Sequence, residues 1–238
     1  MRDFFSLDGQ FYKIGSYVAD IIILSLLWFL FSIPIITAGA ATSALFYVTT
    51  RRIAGREGYI TSDFWKGFTS SFKRATILWL IILVLFTVVV LNLLNLHAVG
   101  RLATVVFGAQ IIVLIQIAFM STFLFPMTAR FDMTIRQTIK SSFLMANRHL
   151  LTSITSVVLL VALLAASHFI HPLILFLVPG IYAMMSSYMI MRIFKRYRPE
   201  MDKDPVLELQ EIEAQKAEER RQRSMAAQEE NEDNNEDN

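Results

Sequence analysis

The chain has 238 residues, 55% of them hydrophobic, no cysteine, four histidines and a formal net charge of +2. The missing cysteine excludes a disulfide framework and thiolate metal sites, and the hydrophobic fraction lies above that of ordinary soluble domains. Four runs without Asp, Glu, Lys or Arg, at 21–50, 75–100, 102–129 and 149–191, each reach the ~20 residues that cross ~30 Å of hydrocarbon, so the chain reads as an all-α, polytopic membrane protein.

The small net charge conceals two opposed parts. Residues 1–198 carry 17 Lys/Arg against 6 Asp/Glu, and residues 199–238 carry 5 against 14. The expected domains are therefore a helical membrane domain, 1–198, and an acidic cytoplasmic tail, 199–238. Within the tail, 206–228 is rich in helix formers and the end, EENEDNNEDN, has the composition of a disordered segment. The basic charges of the body are dispersed among spans, which suits the headgroups of a lipid bilayer and not nucleic acid.

The first run is broken by Pro34 and Gly39 and continues through Ala38, Ala40, Ala41, Ser43 and Ala44. Proline removes a donor and clashes with the preceding turn, so it ends a helix. The pattern predicts a hairpin of about 14–33 and 37–53, with Thr37 as N-cap of its second helix. Pro34, Gly39, Ala40 and Ala44 are the packing candidates, because small residues let membrane helices approach closely. A discontinuous helix lining a solute site is the sharper alternative. The segment also imitates a signal peptide, but its aspartates and the absence of a compact basic start argue against cleavage.

The next segment, GYITSDFWKGFTSSFKRA, places Phe64, Phe68 and Phe72 at i, i+4 and i+8 with Trp65 beside them, and Lys66, Lys73 and Arg74 supply charge. It predicts an amphipathic helix at the cytoplasmic interface. Spans at 75–100 and 102–129 come next. A second interfacial helix is predicted in RFDMTIRQTIKSSFLMANRHLL from Ile135, Ile139 and Phe143, with Asp132 pairing Arg136 at i, i+4. The two segments echo each other, FYVTTR (46–51) then SSF (70–72) against FPMTAR (125–130) then SSF (141–143), which raises a parallel internal repeat. The run 149–191 is long enough for two crossings, ~64 Å as helix, turning at Ser167–Pro172 and kinked at Pro179-Gly180.

Lys/Arg concentrate in 51–74, 130–148 and after residue 191, which places these segments and the tail in the cytoplasm. Six transmembrane helices are favoured, with both ends inside. Five remain possible if the first run crosses once.

Together, LLWFLFSIPIITAGAATSALFYV, GYITSDFWKGFTSSFKRATILWL and FPMTARFDMTIRQTIKSSFLMANRHLL resemble the YesL family of bacterial membrane proteins. The resemblance covers about residues 10 to 195 and leaves out the tail. It implies a protein of the bacterial cell membrane encoded beside carbohydrate ABC importers, with no defined catalytic or binding residues to transfer.

The residues offer little chemistry of their own. His168 and His171 fall in a turn without a nearby carboxylate, and His97 and His149 sit at span ends. No catalytic constellation, metal or cofactor is expected. The intramembrane polar candidates are Asn92, Asn95, Gln110 and Gln116, amides that usually bond across helices and could also meet a neutral sugar. The expected function is non-enzymatic: accessory to, or regulating, carbohydrate uptake through contact with permease subunits. The alternative is a self-contained facilitator of a neutral solute.

Overall fold

The computed structural model describes residues 10–56, 58–95, 103–169 and 172–197. His97, Arg101, His171 and the tail with its expected helix lie outside these. The chain divides into a unit Met1–Ile193, which holds the helical body, and a unit Phe194–Asn238. The described regular elements are all helical: α1 Gln10–Ser32, α2 Ala38–Ile53, α3 Ile60–Leu94, α4 Ala103–Arg130, α5 Ile135–Arg148, α6 Leu150–Phe169 and α7 Val178–Tyr197, with 3₁₀ turns at Ile35–Thr37 and Pro172–Phe176. Four of them, α1, α3, α4 and α6, are long and apolar enough to cross a membrane.

The first run does break at Pro34. α1 stops at Ser32, the proline sits at φ −75° and ψ 112°, and the chain re-enters a helix at Ala38. Thr37 precedes α2, but its side chain does not cap α2. Its hydroxyl donates backward, to the Phe31 and Pro34 carbonyls at 2.7 and 2.8 Å, satisfying acceptors that the ended helix leaves open.

α2 is the centre of the unit. It packs against α3 most extensively, then against α4 and α1, and buries Gly39, Ala40, Ala41, Ser43 and Ala44. A Cβ on Gly39 would fall inside the Trp79 side chain and 2.7 Å from the Ala75 carbonyl oxygen; one on Gly67 would lie 2.8 Å from Tyr47 Cβ. One glycine on each helix, at opposite ends of the antiparallel crossing, thus sets the close α2–α3 approach. With 16 residues α2 is about 24 Å long, shorter than a hydrocarbon core.

The first predicted interfacial helix is not separate. Residues 60–74 and the apolar stretch after them form one helix of 35 residues. Lys73 and Arg74 change the polarity of the surface without interrupting the backbone hydrogen bonds, so charge marks a change of depth and not a helix end. Phe64 and Phe68 are buried, at 1% and 9% exposure, because Phe31 of α1 packs on both, with ring centroids 5.5 and 4.9 Å away. Trp65 and Phe72 stay exposed. Of the predicted interfacial aromatics, Phe64 and Phe68 thus pack against α1.

α5 is a separate amphipathic helix, entered through a capping box between Thr134 and Gln137. Its buried residues are Thr138, Ser142 and Ala146, and the predicted apolar stripe is left half-buried at Ile135 and Ile139 and exposed at Phe143. Small side chains sit against α4, and Phe143 and Leu144 point outward at 50% and 61% exposure. The Pro179 kink is also corrected. The last apolar run begins with the Pro172–Phe176 turn, and Pro179 falls in the first turn of α7, where no N–H is needed.

The internal echo extends to environment. Thr49 and Thr128 each bond to the carbonyl four residues back. Ser71 and Ser142 are buried, and Phe72 and Phe143 exposed. The copies part in the return helix: it is unbroken in α3, whereas at His149 it divides into α5 and α6.

Candidate functional site

Three ion pairs gather where α2 and α4 end. Arg51 and Arg52 close the last turn of α2, where cations favour the helix dipole. Asp20 of α1, 5% exposed, receives the Arg52 Nε and Nη2 on its Oδ2 at 2.7 and 2.6 Å. Arg52 also reaches Ser16 at 3.3 Å. Arg51 lies 3.3 Å from Asp63, an acidic residue of the first turn of α3, and its guanidinium stands over the Tyr47 ring. Arg74 pairs with Asp132 at 2.6 Å and donates to the Phe131 and Met133 carbonyls. Asp132 is thus held by a helix distant in sequence, which corrects the expected local pair with Arg136. Arg130 donates to the Thr50 carbonyl and to Met191 sulfur. The arrangement is a clasp that joins α1, α2, α3 and α4 by guanidinium groups that neutralise aspartates and occupy helix-end carbonyls.

A polar hollow of about 180 Å³ lies there, bounded by Ser70, Arg74, Thr128, Arg130 and Asp132. Arg74 and Asp132 are engaged with each other, so the hollow reads as the seam of the clasp.

A larger cavity, about 360 Å³, lies between α1, α2, α6, the second 3₁₀ turn and α7. Trp28, Leu45, Phe46, Leu160, Leu164 and Val178 are among its walls. Its polar groups are engaged: Trp28 Nε1 donates to Thr42 Oγ1 at 3.0 Å, Thr42 donates to the Ala38 carbonyl at 2.8 Å, and Tyr182 is hydrogen-bonded to Thr122. No charged side chain lines it among the described residues.

The predicted candidates separate into two groups. Gly39, Ala40 and Ala44 are buried together in α2, while Pro34 is exposed in the turn. Asn92 and Asn95 are exposed at the C-terminal end of α3, and the Asn95 amide bonds to its own helix at 2.7 Å. Gln110 and Gln116 are half-buried on α4. None of these four amides lines the cavity. Among the described residues no cluster of His, Cys, Asp and Glu suits a metal, and His168 is exposed beside Phe169. Sequence reasoning passed over the clasp. A conspicuous signal was present: an aspartate next to a long apolar run needs a partner if the helix starts early.

The described chain is thus a helical protein with four helices long and apolar enough to cross a membrane and a small-residue helix, α2, at its centre. Residues 21–93 match DUF624, described as a protein of unknown function; that domain covers the apolar part of α1, all of α2 and nearly all of α3. No curated protein and no solved structure matches the chain.

Proposed function

We propose that this protein is a non-enzymatic component of the bacterial cell membrane that docks on a carbohydrate ABC permease and assists or regulates uptake. One observation carries the reading. The turn between α1 and α2 lies beside Trp79, whose Nε1 donates to the Ile35 carbonyl at 2.8 Å, so residues 80–94 of α3 extend about 22 Å beyond it. That outer part, with the facing part of α4, is covered by little. Val84, Phe86, Val88 and Leu91 are 50–58% exposed, and Val105 and Ile112 both 69%. A projecting two-helix edge offers a partner's membrane helices more surface than a fully wrapped span would.

The YesL resemblance, whose first two stretches fall largely within the DUF624 match, supplies the carbohydrate context. Positive-inside charge supports a multi-pass protein with a cytoplasmic tail. The α1–α2 hairpin returns to the side it leaves, so an even number of crossings, six when its turn reaches the far face, keeps both ends inside.

The facilitator reading draws less support. A sugar needs many hydrogen bonds, and the cavity wall offers groups already bonded to each other. The small residues Gly39, Ala40 and Ala44 of α2 are buried in helix packing, and the cavity wall takes Thr42, Leu45 and Phe46 from that helix instead.

The test is purification of the N-terminally tagged chain from native membranes in mild detergent, with quantitative mass spectrometry. Near-stoichiometric sugar permease supports docking. Recovery of the protein alone, with the permease intact elsewhere, sinks it; sugar flux in vesicles holding this chain alone would favour the facilitator.

A further inference from the structure

The geometry points to a binding site for one acyl chain of a bilayer phospholipid, in the 360 Å³ cavity between α1, α2, α6, the Pro172–Phe176 turn and α7. This inference is independent of permease docking.

Three observations identify the occupant. The first is the chemistry of the wall. A buried water needs two to four polar partners, yet Trp28, Thr42 and Tyr182 spend their polar groups on one another or on neighbouring helices. Water gains nothing there, and a hydrocarbon loses nothing. The second is the mouth. Leu164 and Leu175, on α6 and the turn after it, are 44% and 45% exposed, whereas Phe46 and Val178 behind them are 2% and 5% exposed. The cavity therefore opens sideways past α6, and α1 and α6 both have the length and hydropathy of membrane spans. What lies outside such a mouth is the bilayer interior.

The third is that α1 and α7, which both contribute to the wall, are locked together beside the cavity. Ser25 of α1 donates to the Leu177 carbonyl at 3.4 Å and accepts from the Gly180 N–H at 3.1 Å. A Cβ at Gly180 would stand 2.6 Å from the Ile21 carbonyl oxygen, so glycine is needed for α7 to start this close to α1. This contact fixes α1 and α7 next to the lining residues Trp28, Val178 and Pro179, so the hollow is held open by the helix positions. An empty hollow of this size leaves its lining without dispersion partners, and a flexible methylene chain entering by the mouth restores them.

Trp28 gives the site a reporter. The full-length chain is reconstituted in vesicles of phosphatidylcholine brominated at mid-chain, and fluorescence is compared with unbrominated vesicles. The same measurement on Trp28→Phe isolates the Trp28 contribution from those of Trp65 and Trp79. Strong quenching of Trp28 is expected, falling at least twofold when Val178→Phe fills the cavity, with the other two tryptophans unchanged. Leu164→Phe, at the half-exposed mouth, gives the same fall if Val178→Phe does not fold. Quenching of Trp28 that is equal in native and filled chains shows an outer-surface lipid contact and overturns the site. An unquenched Trp28 in the native chain overturns it as well.

Discussion

Replacing Gly39 by alanine puts one methyl group where α2 and α3 are closest. The new Cβ would overlap the Trp79 Cβ, stand 2.7 Å from the Ala75 carbonyl oxygen and 3.0 Å from Trp79 Cγ. Neither the Trp79 Cβ nor a helical carbonyl can rotate aside, so the helices must separate by roughly 1.5 Å to restore carbon–carbon contact. Overpacking of this kind costs about 1–3 kcal/mol, and the better helix propensity of alanine returns up to ~1 kcal/mol. A net loss of about 1–2 kcal/mol corresponds to a midpoint lowered by about 2–8 °C for a chain of this size. The assay is the fraction of full-length protein that stays monodisperse in mild detergent after heating. Gly108→Ala is the matched control, since a Cβ there meets nothing within 4 Å; it should hold or raise the midpoint. A Gly39→Ala protein as heat-resistant as the native chain would refute the account of α2 packing.

The clasp and the topology can be probed in the same way. Asp20→Ala should lower stability by about 3 kcal/mol because it leaves Arg52 facing a mostly buried site, and Asp20→Ala with Arg52→Met should recover most of that loss in the same heating assay. Arg74→Ala should be more damaging than Asp132→Ala, since Asp132 is exposed and worth at most ~1 kcal/mol, whereas Arg74 also holds two carbonyls at the end of α4. Because the chain has no cysteine, single cysteines at Thr69 and Lys140, both near exposed basic positions, should react with a membrane-impermeant maleimide only from the cytoplasmic side in oriented membrane vesicles; reaction from the outside would reverse the topology.

The parts legible in the sequence are those set by local chemistry. Pro34 ends α1 through its own ring, and the small residues after it announce a buried helix whatever that helix packs on. The capping box of α5 was also open to reading, as Thr134-x-x-Gln137. What stayed hidden depends on partners far along the chain. The burial of Phe64 and Phe68 requires Phe31, and the ion pair of Asp132 requires Arg74; a periodic stripe or an i, i+4 rule sees neither. The contact face of α5 was not named from the sequence for a related reason. Hydrophobicity selects the face that leaves water, and in a membrane protein that face can point to lipid while Thr138, Ser142 and Ala146 make the protein contact. Continuity of α3 through Lys73 and Arg74 was obscured because charge was taken as a boundary of the helix when it bounds only the apolar surface.

The central claim is that the outer part of the α3–α4 pair is a docking face for a sugar permease. The most direct measurement is photo-crosslinking in native membranes from a diazirine amino acid at Val84 or Ile112, both exposed on that face, against the same probe at Leu26 on the exposed side of α1. The account predicts a crosslink to permease subunits from Val84 and Ile112 and none from Leu26. Crosslinks to lipid alone from all three positions, with the permease present, would contradict it.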